Sequence, residues 1–228
     1  MHAPLVIAID GPAGAGKSTV ARMLAARLGL TYVDSGATYR AAALKVLQAG
    51  VDPHDELAVA TLIGSTDLRV TSCDGEPRVF VNGADVTALL RSPEVTLAAA
   101  QVSRLPVVRA KLVQIQRAFA TGPGVVMEGR DIGTVVFPQA QLKIFLMADM
   151  EERARRRLRQ DSREGRDATL EKTAYEIGRR DQLDGERRIS PLKPAADAVV
   201  IDSTPLLADQ VVEHVVELVR ERNLSRNG

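Results

Sequence analysis

The segment Gly11-Pro-Ala-Gly-Ala-Gly-Lys-Ser18 fits the pattern G-x-x-x-x-G-K-[ST] at every fixed position, and Thr19 follows it. Such a loop binds polyphosphate. Successive backbone N–H groups point inward at phosphate oxygens, and Gly11, Gly14 and Gly16 keep Cβ atoms out of their way. Pro12, Ala13 and Ala15 fill the positions between them. A helix opening near Lys17 adds unpaired N–H groups and the positive end of its dipole. Lys17 is expected to reach the β and γ phosphates of a nucleotide, and the Ser18 hydroxyl to hold Mg²⁺.

A second feature is arginine. Residues 149–190 carry eleven arginines and one lysine against eleven acidic residues. That near balance argues against a nucleic-acid patch, which would be of one sign. For Arg155 and Arg159 the plainer reading is a solvated, ion-paired helix face. The others suit a lid, a mobile segment whose arginines close over phosphates and exclude water. Arginines placed this way are worth roughly 10³ to 10⁵ in rate in phosphoryl transfer. Arg153 and Arg157 lie four apart, share a helix face and are the expected ATP-side pair.

These residues need elements to hold them. Leu5-Val-Ile-Ala-Ile9 reads as a buried strand ahead of the glycine loop, and the residues from Thr19 to Leu28 have helical apolar spacing. Strand, loop and helix are the context that makes the motif a phosphate loop. Thr31–Asp34 reads as a second strand, ending in Ser35-Gly36 before a helix from Ala37 to Leu47. Asp55 to Ile63 reads as a short helix. Leu68–Cys73 and Arg78–Val81 read as paired strands about Asp74-Gly75, and Asn82-Gly83 is a further turn signal. Ser92-Pro93 caps a helix to Ser103, and another runs from Pro106 to about Ala120. Val125–Met127, Leu142–Leu146 and Ala198–Ile201 complete the strands. Asp149 to Gln160, Thr169 to Gln182 and Pro205 to Asn223 read as helices, with 161–167 a mobile loop.

Strands alternating with helices imply a five-stranded parallel sheet covered on both faces, an α/β fold of the P-loop type. The β-rich piece of roughly 64–91 interrupts that pattern and reads as an insertion. The core then comprises about 1–63, 92–152 and 183–228, and the lid about 153–182. Ligands bind such sheets at the carboxyl ends of the strands. The glycine loop, Asp34-Ser-Gly36, Glu128-Gly-Arg-Asp131 and Ala148-Asp149 all follow strand ends, so they should meet on one rim.

Composition limits the alternatives. The chain has 228 residues, a net charge of +1 and one cysteine, Cys73. That length suits one domain, and a lone cysteine forms no internal disulfide. The charge draws the chain to neither nucleic acid nor membrane. Tryptophan is absent and aromatic residues are 3% of the chain, which disfavours a base-stacking platform. His2, His54 and His214 are too scattered to form a metal-ligand spacing. The start shows no signal peptide, so a cytoplasmic monomer is the default expectation.

The blocks Gly11–Thr19, Asp34-Ser-Gly-Ala-Thr-Tyr-Arg40, Glu128-Gly-Arg-Asp-Ile-Gly-Thr-Val-Val-Phe-Pro138, Arg180-Asp181 and Ser190-Pro-Leu192 closely resemble those of the bacterial cytidylate kinases. The likeness spans nearly the whole chain, the β insertion included. It implies transfer of the γ-phosphoryl of ATP to CMP or dCMP, with Mg²⁺. It also implies roles: Arg109 and Asp131 reading the base, Ser35, Tyr39, Arg40, Arg130 and Arg187 holding the acceptor phosphate beside Gly129, and Arg180 and Asp184 on the sugar. With Lys17, Arg153 and Arg157, the residues Arg130 and Arg187 make up the expected catalytic set. The polarity fits, since cytosine offers two acceptors and an amino donor to a guanidinium and a carboxylate. Two positions depart from the family pattern. Ala100 stands where a serine usually helps to read the base, so Ser103 or a water takes that contact, or uracil is rejected less well. Glu128 stands where Asp is frequent. Two rivals stay open: another P-loop kinase, acting on UMP or shikimate, and a nucleotide-binding regulatory protein without turnover.

Overall fold

The structure is a computed structural model that describes residues 4–73, 76–163 and 165–224. In chain order its first elements are β1 (Leu5–Asp10), α1 (Lys17–Leu28), β2 (Thr31–Asp34), α2 (Ser35–Gln48), α3 (Glu56–Ser65), β3 (Leu68–Cys73), β4 (Glu76–Val81) and β5 (Ala84–Asp85). A 3₁₀ turn at Thr87–Leu89 leads to α4 (Pro93–Val102), α5 (Pro106–Arg117) and β6 (Gly124–Gly129). A π-helical turn at Ile132–Val136 precedes β7 (Leu142–Met147), α6 (Met150–Arg163), α7 (Leu170–Gly185), β8 (Val199–Asp202) and α8 (Ala208–Glu221).

The expected five-stranded parallel sheet is present, in the order β2-β6-β1-β7-β8. Its central strands are apolar on both faces because both are covered. Ile7, Ile9, Ile144 and Leu146 pack with α1 and α8 on one side, and Val6, Ala8, Val125 and Met127 pack with Val113 of α5 and the π turn on the other. Register places Asp10 beside both Gly129 and Phe145, so β1 and β6 end level, β7 runs two residues further to Met147, and all three release their loops onto one rim.

The β-rich piece forms its own antiparallel sheet, β3-β4-β5. It has a third short strand beyond the expected pair. Asn82 and Gly83 both take positive φ, 50° and 82°, and this two-residue loop folds the chain back so that Val81 pairs with Ala84. The Asp74-Gly75 turn lies outside the described residues. An alanine-rich core, from Ala41, Ala42 and Ala43 to Val59, Val79, Val95 and Leu112, packs this sheet with α2 to α5.

Two local expectations are corrected. The second helix opens at Ser35 instead of Ala37, because the Asp34 carboxylate accepts the Ala37 N–H and caps it two residues earlier. The stretch expected as a loop from Asp161 is helical through Arg163. Asp161 is buried there and accepts from Arg157, one turn back, and from Arg166, while Ser162 Oγ donates to the Leu158 carbonyl.

Candidate active site

The glycine loop joins β1 to α1 on the rim. Its glycines take φ values of 150° (Gly11), 77° (Gly14) and 92° (Gly16), which residues with a Cβ seldom adopt. Packing is a second reason for them. A Cβ on Gly11 would lie 2.0 Å from the Leu146 carbonyl oxygen of β7, and one on Gly14 would lie 2.9 Å from the Arg153 carbonyl oxygen of α6. The Lys17 side chain folds back, and its Nζ donates to the Pro12 carbonyl at 2.7 Å. Burial first, and then the Arg130 charge, bring its pKa down to about 7. Ser18 and Thr19 stay exposed at the start of α1. Near the Ser18 hydroxyl sits the buried Glu128 carboxylate, which accepts from Tyr32 Oη at 3.1 Å. Arg22 lies over the Tyr32 ring, 5.1 Å from its centroid. Burial first, and then the Asp34 charge, raise the pKa of Glu128.

Facing the loop is a chamber of arginines. Arg130 Nε donates to Asp184 Oδ2 at 2.7 Å, and Arg187 pairs with the other oxygen of the same carboxylate. Asp184, expected at the sugar, is 1% exposed and serves as the hub of these two cations. Burial pushes its carboxyl up, but Arg130, Arg187 and Arg180 together pull it below the usual carboxylate range. Arg180 comes down to about 10, first through burial and then through Arg130, with Arg40 and Arg157 adding repulsion. Arg40 is held at 2.6 Å by Asp34. Tyr39 Oη, Arg40 Nε and Arg187 Nε are buried with no hydrogen-bond partner among the described residues. Ser35 Oγ donates to the Glu128 carbonyl at 2.7 Å. Gly129 is small for a reason: a Cβ there would meet that Oγ at 2.5 Å.

Beside the chamber, Arg109 and Asp131 form a buried ion pair, with side chains 5% and 6% exposed. Tyr39 covers the guanidinium, 5.5 Å from ring centroid to Arg109 Cζ. Arg109 Nη1 also donates to the Ser103 carbonyl at 3.2 Å. The Ser103 hydroxyl itself donates to the Ala100 carbonyl at 2.9 Å. Of the replacements considered for the missing serine, Ser103 therefore already spends its hydroxyl proton on its own helix.

The arginines of α6 divide by partner. Arg155 pairs with Glu151, and Arg159 lies 3.8 Å from Glu152, both at the surface as expected. Arg153 and Arg157, the expected ATP-side pair, have different surroundings. Arg153 is buried, donates to the carbonyls of Ala13 (3.1 Å) and Ala148 (3.0 Å), and pairs with Asp181. Arg157 stays half-exposed, 3.3 Å from Asp161. Sequence reasoning missed Arg156, whose Nη1 reaches Ser203 Oγ (2.9 Å) and whose Nη2 reaches the Ser203 carbonyl (2.6 Å). Ser203 Oγ in turn donates to the Ala15 carbonyl of the loop at 3.1 Å. Ser203 directly follows β8, so the rim rule contained the signal for it. Asp181 was also given no role, yet its carboxylate accepts the Ala13 N–H at 3.1 Å.

The rim thus joins a phosphate loop, a cationic chamber short of acceptors, and a donor–acceptor pair in a dry pocket. Among the described residues, no cluster of three or more His, Cys, Asp or Glu forms a metal cage, and no helix is long and apolar enough to cross a membrane. The family model described as cytidylate kinase matches residues 7–221. Among curated relatives named cytidylate kinase, that of Geobacillus thermodenitrificans is 50% identical over 222 residues, covering 97% of this chain and 99% of its own. That of Caldicellulosiruptor bescii is 48% identical over 212 residues, covering 93% and 94%. That of Mycobacterium avium is 47% identical over 224 residues, covering 98% of each.

Proposed function

The chain belongs to the cytidylate kinase family, and from that premise we propose that it transfers the γ-phosphoryl group of ATP to CMP or dCMP. The observation that carries this reading is the chamber opposite the glycine loop. Arg40, Arg130, Arg180 and Arg187 converge there, and two of them, Arg40 and Arg187, have buried Nε–H groups without an acceptor among the described residues. Buried donors lacking partners cost about 1–3 kcal/mol each, a cost that an arriving phosphate removes. The planar guanidinium fork matches phosphate oxygens.

Each part then has a task. The loop from Gly11 to Thr19 holds the ATP phosphates, and Lys17 turns from Pro12 to the transferring group. Arg40, Arg130, Arg187, Ser35 and Tyr39 hold the acceptor phosphate. Arg109 donates to cytosine N3 and O2, and Asp131 accepts from its N4 amino group. Arg180 and Asp184 border the sugar. Arg157, the half-exposed arginine of α6, closes toward the donor. The acceptor oxygen attacks in line, no covalent enzyme intermediate is needed, and positioning with charge stabilisation supplies the rate. Oxygen donors suit a hard cation, and the exposed Ser18 hydroxyl near the Glu128 carboxylate fits Mg²⁺ arriving with the nucleotide. When bound, Mg²⁺ neutralises charge on the β and γ phosphates. The insertion of about 64–91 serves the acceptor side, and residues of about 153–182 serve as the lid.

ADP release with ATP and Mg²⁺ tests the reading, with CMP, dCMP, UMP, AMP and shikimate as acceptors. Fast turnover on CMP and dCMP, with UMP far behind, is the expected result. Preference for shikimate or UMP would move the chain to another acceptor, and no turnover at all despite ATP binding would leave the regulatory reading.

A further inference from the structure

Asp10 is the last residue of β1 and is 4% exposed. Nothing in the phosphate chemistry calls for a carboxylate at this point in the chain. Its two oxygens accept two backbone N–H groups from the far side of the rim, Ile132 N at 2.8 Å and Gly133 N at 2.7 Å. These are the first two amides of the π-helical turn. The turn is closed further on by Val135 N and Val136 N, which donate to the Asp131 carbonyl. Like any helical start, it leaves its first N–H groups without partners of its own.

The residue that ordinarily satisfies such groups is the one just before the turn, and an Asp in that position is among the best caps. Here that residue is Asp131, and its side chain makes no cap hydrogen bond. It turns the other way and pairs with Arg109. Asp10 supplies the cap from a neighbouring strand in its place. The register explains how it can. Asp10 stands beside Gly129 across the β1–β6 ladder, so the chain leaving β6 passes Arg130 and Asp131 and curls back over the Asp10 carboxylate. Gly133 packs closely here: a Cβ on it would lie 3.2 Å from Lys143 Cδ and in ordinary contact, 3.4 Å, with Asp10 Oδ2.

We propose that Asp10 is a positioning residue for acceptor recognition: by capping the π turn in trans it frees the Asp131 carboxylate to face Arg109 and the acceptor base. Without Asp10, the Asp131 carboxylate is the nearest replacement acceptor for the orphaned N–H groups. A local cap competes with any more distant partner. Asp131 then turns inward, and Arg109 is left with its Ser103 carbonyl alone. Burial pushes the Asp10 carboxyl up to about 6 while the Gly133 and Ile132 N–H groups pull it down; Asp131 adds to the rise and Lys17 opposes it. Above that pH it is ionised, the form that can accept two N–H groups at once.

This inference rests on the cytidylate kinase reading, and its test separates the two. Asp10→Asn keeps the size and places an amide N–H against one of the two backbone donors. At pH 7.5 it should raise the KM for CMP at least ten-fold and lower the CMP-to-UMP ratio of kcat/KM at least five-fold. The Kd for ATP should stay within two-fold of wild type, because the glycine loop keeps its own contacts. A variant with wild-type CMP KM and selectivity would overturn the proposal. So would one in which ATP and CMP binding weaken equally, since that would make Asp10 a support of the loop. Amide hydrogen exchange on the wild-type protein gives a reading that needs neither turnover nor a folded variant. Ile132 and Gly133 should be strongly protected, and exchange at the rate of an open peptide would refute the cap. Wild-type protein with no turnover on CMP would instead count against the proposed function, and the exchange result would still decide the cap.

Discussion

Arg109 and Asp131 sit in a space that admits almost no water, so neither charge tolerates the loss of the other. Removing one member of a buried pair typically costs about 3–5 kcal/mol, because the survivor stays buried and uncompensated. Arg109→Met should therefore destabilise the fold by about that amount and abolish CMP selectivity. Adding Asp131→Leu should restore most of the stability and none of the activity. Urea denaturation of the two variants checks this, and a double variant no more stable than the single one would refute it. Asp10 makes a different prediction. Its folded pKa, about 6, lies above the ordinary value of 3.8, so the folded state holds a proton more tightly than the unfolded chain. Its contribution to stability is present below about pH 4 and is lost as pH rises through 6, on the order of 3 kcal/mol. The stability of wild type relative to Asp10→Asn should fall across that window, and a flat difference would contradict the burial argument.

The α6 arginines show how an element decides what its residues do. Arg153 and Arg157 lie one helical turn apart, but α6 packs against α7 and the glycine loop, where Ala13, Ala154 and Ile177 form a small apolar contact. That packing takes Arg153 inward and leaves Arg157 at the edge. Arg153→Ala should cost about 1–3 kcal/mol by stranding the Ala13 and Ala148 carbonyls and Asp181. Arg157→Ala should change stability by no more than about 0.5 kcal/mol, as surface substitutions usually do, and should lower kcat. Denaturation and steady-state kinetics on the pair separate the roles, and equal stability loss in both would refute the assignment. The same contrast marks how far the residue order could be read. The five strands, the glycine loop and the rim were readable because each is a local pattern. Direction of packing is not local. Spacing put Arg153 and Arg157 on one face without saying which of them the next helix would cover. Nor could spacing find Asp10, Asp181, Arg156 or Ser203, whose partners lie between 47 and 188 residues away.

Taken as a whole, the rim concentrates positive charge on a chain whose net charge is +1. Lys17, Arg40, Arg130 and Arg180 repel one another across the chamber, with Asp184 and Glu128 as partial compensation. A phosphate-bearing ligand relieves that repulsion, whereas the same ligand without phosphate does not. At about 100 times its Kd a ligand stabilises the folded state by about 2.7 kcal/mol, which for a chain of this size is a rise of roughly 5–10 °C in Tm. CMP should give a shift of that order in thermal melting, and cytidine at the same concentration should give almost none. Equal shifts would place the recognition on the base and sugar and remove the chamber from the account.

The most direct measurement follows the phosphoryl group itself. With ATP labelled at the γ-phosphate, Mg²⁺ and CMP, the label should appear in the β-phosphate of CDP, in step with ADP and with none retained on the protein. Label released as inorganic phosphate, or held on the protein through a quench, would contradict direct in-line transfer between two nucleotides on this rim.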